Sequence, residues 1–451
     1  MTDERAGFQR QVLRLALPAA GEYLIRFASA IIDTVLMGHL GAEALTVLGL
    51  SNQLILVGVV FVTPVTVGGG VLIAQSFGAS ENRRAHLIFA QSLWLGLVIS
   101  LSLVVLGMAF ATSALQFMGA EATVVRMGTT FLRLFLLTLP IHYFTLVVNS
   151  CLRGAGDTST PFLVIIIETL VRTLSAWILV NGLFGFPALD ASGVAIGALV
   201  GQSVGAGILV YLLWRGRLLL RLRALPLQLD LPLTKALLKL GIPSGGEQLG
   251  LRLGQIINVR LITGLGTVGF AAYLVGFNSI SVALAVGVGF AMAATTIVGQ
   301  SIGAGRALQA REGAKQTWIL GIVAMGAIGA LLFIGAEWII RFFTDDERVI
   351  EMAVFPLKVV ALILPAEATN QVLSGAFRGA GDTRWPFLLT TAGNFLLRIP
   401  LTFLLIGRFG LLGVWIALMV EISIRAGLNA RRFLRLDWRT SVDPVSIGAT
   451  G

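Results

Sequence analysis

The sequence predicts an all-α membrane protein with twelve transmembrane helices. Hydrophobic residues make up 56% of the 451 residues, charged residues only 12%, and the mean hydropathy is +0.89. A soluble domain carries roughly twice that charged fraction, about 25%. The composition therefore excludes a soluble enzyme, a disordered chain and a nucleic-acid binder. The single cysteine, Cys151, excludes an internal disulfide and a cysteine-based metal cluster.

Twelve apolar runs are long enough to cross a bilayer, for which a helix needs about 20 residues. The breaks between them alternate between arginine-rich segments, such as 215–223 and 431–439, and segments with few basic residues, such as 264–267. Because Lys and Arg remain on the cytoplasmic side, both termini are predicted in the cytoplasm, as an even number of spans requires. Numbered as spans 1 to 12, the runs cover residues 11–38, 47–77, 87–112, 122–151, 160–182, 190–214, 236–263, 268–302, 315–340, 349–377, 385–407 and 410–430.

The two halves of the chain contain the same segments at a constant offset of 225 residues. Residues 18–22 (PAAGE) recur as 243–247 (PSGGE), and residues 153–158 (RGAGDT) recur unchanged as 378–383. Because each half contains six spans, both halves enter the membrane in the same direction. We therefore predict two six-helix lobes related by a pseudo-two-fold axis along the membrane normal, with a substrate path between them. We predict an N-terminal lobe of residues 1–214 and a C-terminal lobe of residues 236–432. A basic cytoplasmic linker, 215–235, joins them, and a polar cytoplasmic tail, 433–451, follows.

Span 1 carries three charged residues within one narrow sector of the helix, Glu22, Arg26 and Asp33. Charged groups at mid-membrane depth are costly and usually face a cavity or a partner. We interpret Glu22 and Asp33 as cavity-facing groups that couple a cation to transport. The alternative is structural, with an ion pair between Glu22 and Arg26 one turn apart and Asp33 merely at the helix end. Pro18 removes a backbone hydrogen bond and is predicted to bend the helix as a hinge.

Three other spans carry polar groups that are candidates for binding the substrate or a proton. A buried Glu or a His can change charge near neutral pH. Asn258 is the repeat partner of Asp33, so a position that can titrate in one half is neutral in the other. For His142 we favour a hydrogen-bonded packing role over proton binding. The candidates are Glu247 and Asn258 on span 7, Glu367 and Gln371 on span 10, and His142 and Asn149 on span 4.

Two further acid–arginine pairs lie one helical turn apart, Glu168 with Arg172 on span 5 and Glu421 with Arg425 on span 12. We interpret both as internal ion pairs rather than as ligand groups. The two RGAGDT segments are predicted to be tight turns, in which the aspartate caps the following helix.

No catalytic motif is supported by its context. The chain has no G-x-x-x-x-G-K-[ST] loop for nucleotide hydrolysis. Its two G-x-S-x-G matches, at 201–205 and 299–303, lie in apolar helices rather than on the strand-to-helix turn that a serine nucleophile requires. We therefore expect a transporter rather than an enzyme, with no cofactor, no resident metal and no nucleic-acid partner.

The order and spacing of these segments resemble the bacterial multidrug and toxic compound extrusion (MATE) transporters. The resemblance covers about residues 10–432 and is carried by Pro18 with Glu22, residues 32–34 (IDT) ahead of 38–41 (GHLG), residues 243–248, and the doubled RGAGDT followed by Pro-Phe. It implies two six-helix lobes around a central cleft in the bacterial inner membrane. It also implies export of small organic compounds, often cationic and lipophilic, in exchange for protons or sodium.

The same resemblance assigns roles to three acids. Asp33 matches the acid of the first helix that binds the coupling cation, and Glu367 matches an acidic position on the tenth that is implicated in cation or substrate binding. Glu247 lies on span 7, where such transporters often have an acid. The sodium-site pattern of the family, an Asn and an Asp one turn apart on the fifth helix, is replaced here by Glu168, Thr169 and Arg172.

A fixed positive charge at Arg172 should oppose sodium binding, so we expect proton coupling, with sodium as the alternative. A lipid-linked oligosaccharide or other lipid flippase of the same superfamily is the alternative function, because Arg26 and Arg172 could bind phosphate. We expect a monomer whose other partners are the surrounding membrane lipids.

Overall fold

A computed structural model describes residues 2–221 and 230–438, and this part of the chain is helical, without β-strands. A three-residue 3₁₀ turn, Leu183–Gly185, precedes α7, and a π-helical turn, Gly393–Arg398, precedes α15. The α-helices are α1 (Thr2–His39), α2 (Ala42–Gly78), α3 (Asn82–Phe117), α4 (Ala122–Leu136), α5 (Leu139–Ala155), α6 (Ser159–Asn181), α7 (Asp190–Trp214), α8 (Leu231–Thr263), α9 (Gly266–Gly303), α10 (Ala307–Ile334), α11 (Ala336–Phe343), α12 (Glu347–Ala361), α13 (Leu364–Gly379), α14 (Arg384–Ala392) and α15 (Ile399–Arg435).

The twelve predicted spans each have a helical counterpart. Within the described residues, eight helical segments are long and apolar enough to cross a membrane, and two bent pairs, α4–α5 at 44° and α12–α13 at 52°, raise the number to ten. Helix α8 supplies an eleventh, although its charged residues interrupt the apolar run. The twelfth comes from α15, where Gly410 has non-helical dihedral angles (φ 54°, ψ −134°) and separates spans 11 and 12. The prediction of an all-α protein with twelve spans is confirmed.

The described residues form two compact units that do not coincide with the halves of the sequence. The chain changes unit inside α1, between Gly21 and Glu22, and inside α8, between Gly245 and Gly246. Each change falls within one of the repeated segments, PAAGE in α1 and PSGGE in α8. Where the chain is described, the N-terminal unit comprises residues 22–77 and 81–245, and the C-terminal unit comprises residues 2–21, Gly78–Ser80 and 246–438.

The first part of α1 packs into the core of the C-terminal unit. Val12 and Leu15 are buried there in one cluster with Phe290 of α9. The backbones of the two helices approach closely, because a Cβ at Gly289 would lie 2.6 Å from the carbonyl oxygen of Ala16. The small residue at position 289 therefore allows this contact.

The first part of α8 makes the equivalent contact within the N-terminal unit. A Cβ at Gly241 would collide with the carbonyl group of Pro64 on α2. Positions 241 and 64 are the repeat partners of 16 and 289, so one helix contact is built twice from the repeated sequence. Thr234 on α8 also donates a hydrogen bond of 3.3 Å to Gln91 on α3.

The two RGAGDT segments form the predicted turns. Gly156 and Gly381 adopt φ of 96° and 90°, a region that glycine enters without steric cost. One carboxylate oxygen of Asp157 and one of Asp382 accept the backbone N–H of the residue three positions further on, at 2.9 and 3.1 Å. The prediction that these aspartates cap the following helices is confirmed.

Helix α6 is held tightly against α7 by a stripe of glycines. A Cβ at Gly201 would lie 2.5 Å from the Cβ of Arg172 and 2.7 Å from the carbonyl oxygen of Glu168. A Cβ at Gly197 would lie 2.6 Å from the backbone nitrogen of Ala176. The G-x-S-x-G match at 201–205 is therefore a helix contact, and it fixes the position from which Arg172 reaches its partner.

Candidate coupling site

The acidic group of α1 that the sequence singles out is paired with an arginine of α6. Asp33 is only 6% exposed, and its Oδ2 accepts a hydrogen bond from the guanidinium of Arg172. Each charge compensates the other in a site from which water is largely excluded, and removing either partner would leave the other uncompensated. The Nε of Arg172 is buried without a hydrogen-bond partner in the described part of the chain.

The structure pairs Arg172 with Asp33 rather than with Glu168. Residues four apart on a helix can meet, but Arg172 turns towards Asp33 on α1. The carboxylate of Glu168 instead lies over the glycine stripe of α7, where its Oε2 would be 3.0 Å from a Cβ at Gly205. The partner of Arg172 was missed because 139 residues separate it from Asp33, and helical spacing gives no information at that range.

Glu22 is held by two arginines. It is 3% exposed, its Oε1 accepts from Arg26 at 3.0 Å, and its Oε2 accepts from Arg153 at 2.9 Å. The Glu22–Arg26 pair that the sequence offered as the structural alternative is therefore present. Arg153, the first residue of the RGAGDT segment, was missed. A usable signal existed, because Glu22 and Arg153 both belong to segments that recur at the same offset.

His142 and Asn149 lie two turns apart on α5 and each presents a buried polar atom. His142 Nδ1 and Asn149 Oδ1 have no hydrogen-bond partner among the described residues. The prediction of a hydrogen-bonded packing role for His142 does not hold for this nitrogen. Buried polar atoms without partners are uncommon in folded proteins, so both side chains remain candidates for binding a ligand.

Glu247 in the C-terminal unit repeats the environment of Glu22. Glu247 is 6% exposed. Its two carboxylate oxygens accept hydrogen bonds from one guanidinium nitrogen of Arg378 at 3.2 and 3.3 Å. The hydroxyl of Thr390 donates a third hydrogen bond at 3.1 Å. Glu247 and Arg378 are the repeat partners of Glu22 and Arg153.

Glu367 lies in a polar network within the same unit. Its carboxylate accepts from Asn370 at 3.3 Å, from Gln371 at 3.1 Å and from Arg425 at 3.4 Å. The Nε of Arg425 also lies 2.9 Å from an oxygen of Glu421, which confirms that predicted ion pair. The structure thus brings Glu367 and Gln371 together, and the Oε1 of Gln371 is buried without a partner among the described residues.

Asn258, the repeat partner of Asp33, has a neutral environment. It is fully buried, donates to the carbonyl oxygen of Gly254 at 2.8 Å and accepts from the hydroxyl of Thr402 at 3.3 Å. Asp33 meets a guanidinium in the N-terminal unit, whereas its repeat partner Asn258 meets a hydroxyl here. Of these two equivalent positions, the one in the N-terminal unit can change charge.

Comparison with known proteins assigns the family. The MatE family model matches residues 18–178 and 243–404, which together make up most of the chain. This chain belongs to the MatE family. The two matched stretches begin at Pro18 and Pro243, the same repeat partners that open the PAAGE and PSGGE segments. A MatE chain is a multi-pass membrane transporter and not an enzyme.

Relatives of similar length support this assignment. A protein of Pseudomonas aeruginosa named "Probable multidrug resistance protein NorM" is 30% identical over 96% of this chain and 90% of its own length. A Thermotoga maritima protein of the same name is 28% identical over 97% of this chain and 94% of its own. The MatE assignment therefore extends over nearly the whole sequence.

Solved structures share the fold. One described as the outward-facing conformation of a multidrug resistance MATE family transporter of the MOP superfamily superposes with a TM-score of 0.88 at 20% identity, covering 95% of this chain and 96% of that one. A MOP superfamily transporter from Pyrococcus furiosus, whose description reports reversed polarity of the binding pocket, gives 0.87 at 20% identity and covers 95% of both chains.

Proposed function

We propose that this MatE transporter exports organic compounds, cationic or lipophilic, in exchange for protons by alternating access. The observation that carries the proposal is the ion pair between Asp33 on α1 and Arg172 on α6. The names of the relatives, which are probable multidrug resistance proteins, support organic compounds as the cargo. In this proposal the protein acts as a monomer in the bacterial inner membrane, with both termini in the cytoplasm.

Proton binding and the ion pair at Asp33 exclude each other. The ionised carboxylate holds the guanidinium of Arg172, whereas a proton on the carboxylate removes the charge that attracts it. Breaking a buried ion pair while one charge remains costs about 3–5 kcal/mol. Release of Arg172 therefore favours a rearrangement in which its guanidinium donates hydrogen bonds to water or to another acceptor. The site thus has two states that differ in charge and in the restraint between α1 and α6.

Sodium is disfavoured by the same arrangement. A sodium ion at Asp33 would compete with a guanidinium that is always charged and that offers only hydrogen-bond donors. A proton needs no further oxygen ligands and neutralises the carboxylate directly. The geometry therefore supports a proton as the coupling ion.

The test is transport of ethidium by the full-length protein in sodium-free liposomes with an imposed pH gradient. The parent protein is expected to transport ethidium, and Asp33→Asn to lose the dependence on the gradient. Glu43→Gln, which neutralises an exposed acid in the first turn of α2, is the matched control and is expected to behave like the parent. An absolute requirement for sodium would contradict the proposal.

The flippase alternative is weakened by the partners of the two arginines that suggested it. Arg26 and Arg172 are paired with Glu22 and Asp33, so neither is an uncompensated cation for a phosphate group. The same liposomes test this directly, because a flippase would move a lipid-linked oligosaccharide and leave the ethidium distribution unchanged.

A further inference from the structure

The Glu22–Arg153 ion pair has an equivalent in the other unit, Glu247–Arg378. In both pairs the arginine lies 131 residues after the glutamate and opens an RGAGDT segment. Both glutamates are buried, and both donate nothing but accept from more than one group. We call these two ion pairs the clasps.

The clasps differ from the coupling site in that they occur in both units. The position equivalent to Asp33 holds Asn258, which meets the hydroxyl of Thr402, so the described residues of the C-terminal unit have no carboxylate at this position. A single proton-binding site is sufficient to couple one proton to transport. An ion pair that is present in both units has a role that both units share.

Both clasps lie where a helix changes compact unit. The change occurs between Gly21 and Glu22 in α1, and between Gly245 and Gly246 in α8. The glutamate is therefore the first residue of its unit in α1 and the second in α8. In each case the arginine that it binds belongs to the unit into which the helix continues.

The stretch just before each clasp contains a proline and only small side chains. Residues 18–21 read PAAG and residues 243–246 read PSGG. Proline lacks the N–H that would bond the preceding turn, and alanine, serine and glycine present little side chain to pack. In both segments the first charged side chain after this stretch is the glutamate of the clasp.

We propose that the clasps are positioning pairs. Glu22–Arg153 fixes α1 to the N-terminal unit and Glu247–Arg378 fixes α8 to the C-terminal unit, so that bending is confined to the proline–glycine side of each glutamate. On this view Glu22 and Glu247 carry neither the coupling proton nor the cargo. The inference rests on the alternating-access part of the proposed function, because bending at these points has a role only if the units rearrange.

The proposal is tested with Glu22→Gln, Arg153→Met and the double variant in ethidium-transporting liposomes. Each single change is expected to lower Vmax several-fold while the KM for ethidium and the proton-to-ethidium ratio stay constant. The double variant is expected to be no slower than the slower single variant, because two partners of one pair act as a unit. Arg153→Lys, which keeps the charge, is expected to recover part of Vmax.

The control is a matched acid–arginine pair outside the membrane core. Glu81 and Arg84, 2.9 Å apart at the start of α3, form an exposed ion pair, and Glu81→Gln with Arg84→Met is expected to leave Vmax unchanged. A changed proton-to-ethidium ratio in Glu22→Gln, with a normal ratio in Arg153→Met, would make Glu22 a coupling group and overturn the proposal. Additive losses in the double variant would overturn it as well.

Amide hydrogen exchange in nanodiscs tests the clasps without any transport. Glu22→Gln is expected to increase exchange in residues 18–26 and not in 243–251, and Glu247→Gln is expected to do the reverse. Unchanged exchange in both segments would overturn the clasps even if ethidium is exported. The expected local increase in a protein that does not move ethidium would instead contradict the proposed function and leave the clasps standing.

Discussion

Arg172 on α6 donates a hydrogen bond to the carboxylate of Asp33 on α1, across 139 residues of sequence. The pair joins the first and the sixth helix of the chain within the N-terminal unit. It places a group that can take up a proton against a cation that cannot release one. Proton binding at Asp33 and ion pairing with Arg172 are therefore competing events at one site.

Arg172→Met should uncouple transport from protons. Without the guanidinium, the buried carboxylate of Asp33 has no counter-charge, and leaving a charge buried and unpaired costs about 3–5 kcal/mol. We expect the ionised state to be lost, so that ethidium moves without a stoichiometric proton flux, as measured with a pH-sensitive dye inside liposomes. Arg126→Met, at an exposed position of α4, serves as the control, and proton flux at the parental ratio in Arg172→Met would contradict the expectation.

Gly201→Val should destabilise the protein and displace Arg172. The new Cβ would lie 2.5 Å from the Cβ of Arg172, and overpacking of this kind typically costs about 1–3 kcal/mol. We expect a lower melting temperature by fluorescence-detected size-exclusion chromatography, together with slower ethidium export. Gly207→Ala on the same helix, where a Cβ meets nothing within 4 Å, should match the parent in both measurements.

Sequence reasoning predicts ion pairs within one helix better than ion pairs between two helices. Apolar run length fixes the twelve spans, and residues one turn apart on a helix give Glu22 with Arg26 and Glu421 with Arg425. The same local rule fails at Arg172, because the tertiary fold offers it Asp33 as a partner. Pairing between distant helices depends on the packing of α1, α6 and α7, which a single sequence does not encode locally.

The sequence also does not predict that α1 is divided between two compact units. Run length treats residues 11–38 as one span, and the helix is indeed continuous from Thr2 to His39. Its first part is nevertheless packed on α9 in the C-terminal unit. The constant repeat offset could have suggested the pairing of Glu22 with Arg153, since both ends of that pair recur, but it could not show which unit each helix end joins.

Asn258→Asp should destabilise the C-terminal unit. Asn258 is fully buried and meets the Thr402 hydroxyl rather than an arginine, so a carboxylate there would be buried without a counter-charge. We expect a clear loss of thermal stability at neutral pH, measured in detergent. Asn82→Asp at the exposed start of α3 adds the same charge and should leave the melting temperature unchanged. An unchanged melting temperature in Asn258→Asp would show that this position already tolerates a charge.

Pro18→Ala should slow export more than it lowers expression. Alanine restores the backbone hydrogen bond that proline removes, so α1 would resist bending just before the point where it changes unit. We expect a normal amount of folded protein with a reduced rate of ethidium transport. Transport at the parental rate would remove Pro18 from the mechanism.

The most direct test of proton coupling at Asp33 is to run the exchange backwards. In sodium-free liposomes at equal pH on both sides, an imposed ethidium gradient should drive protons in the opposite direction and change the internal pH. We expect this change in the parent protein and in Glu43→Gln, and its absence in Asp33→Asn. A pH change of parental size in Asp33→Asn, or none in the parent until sodium is added, would contradict the account.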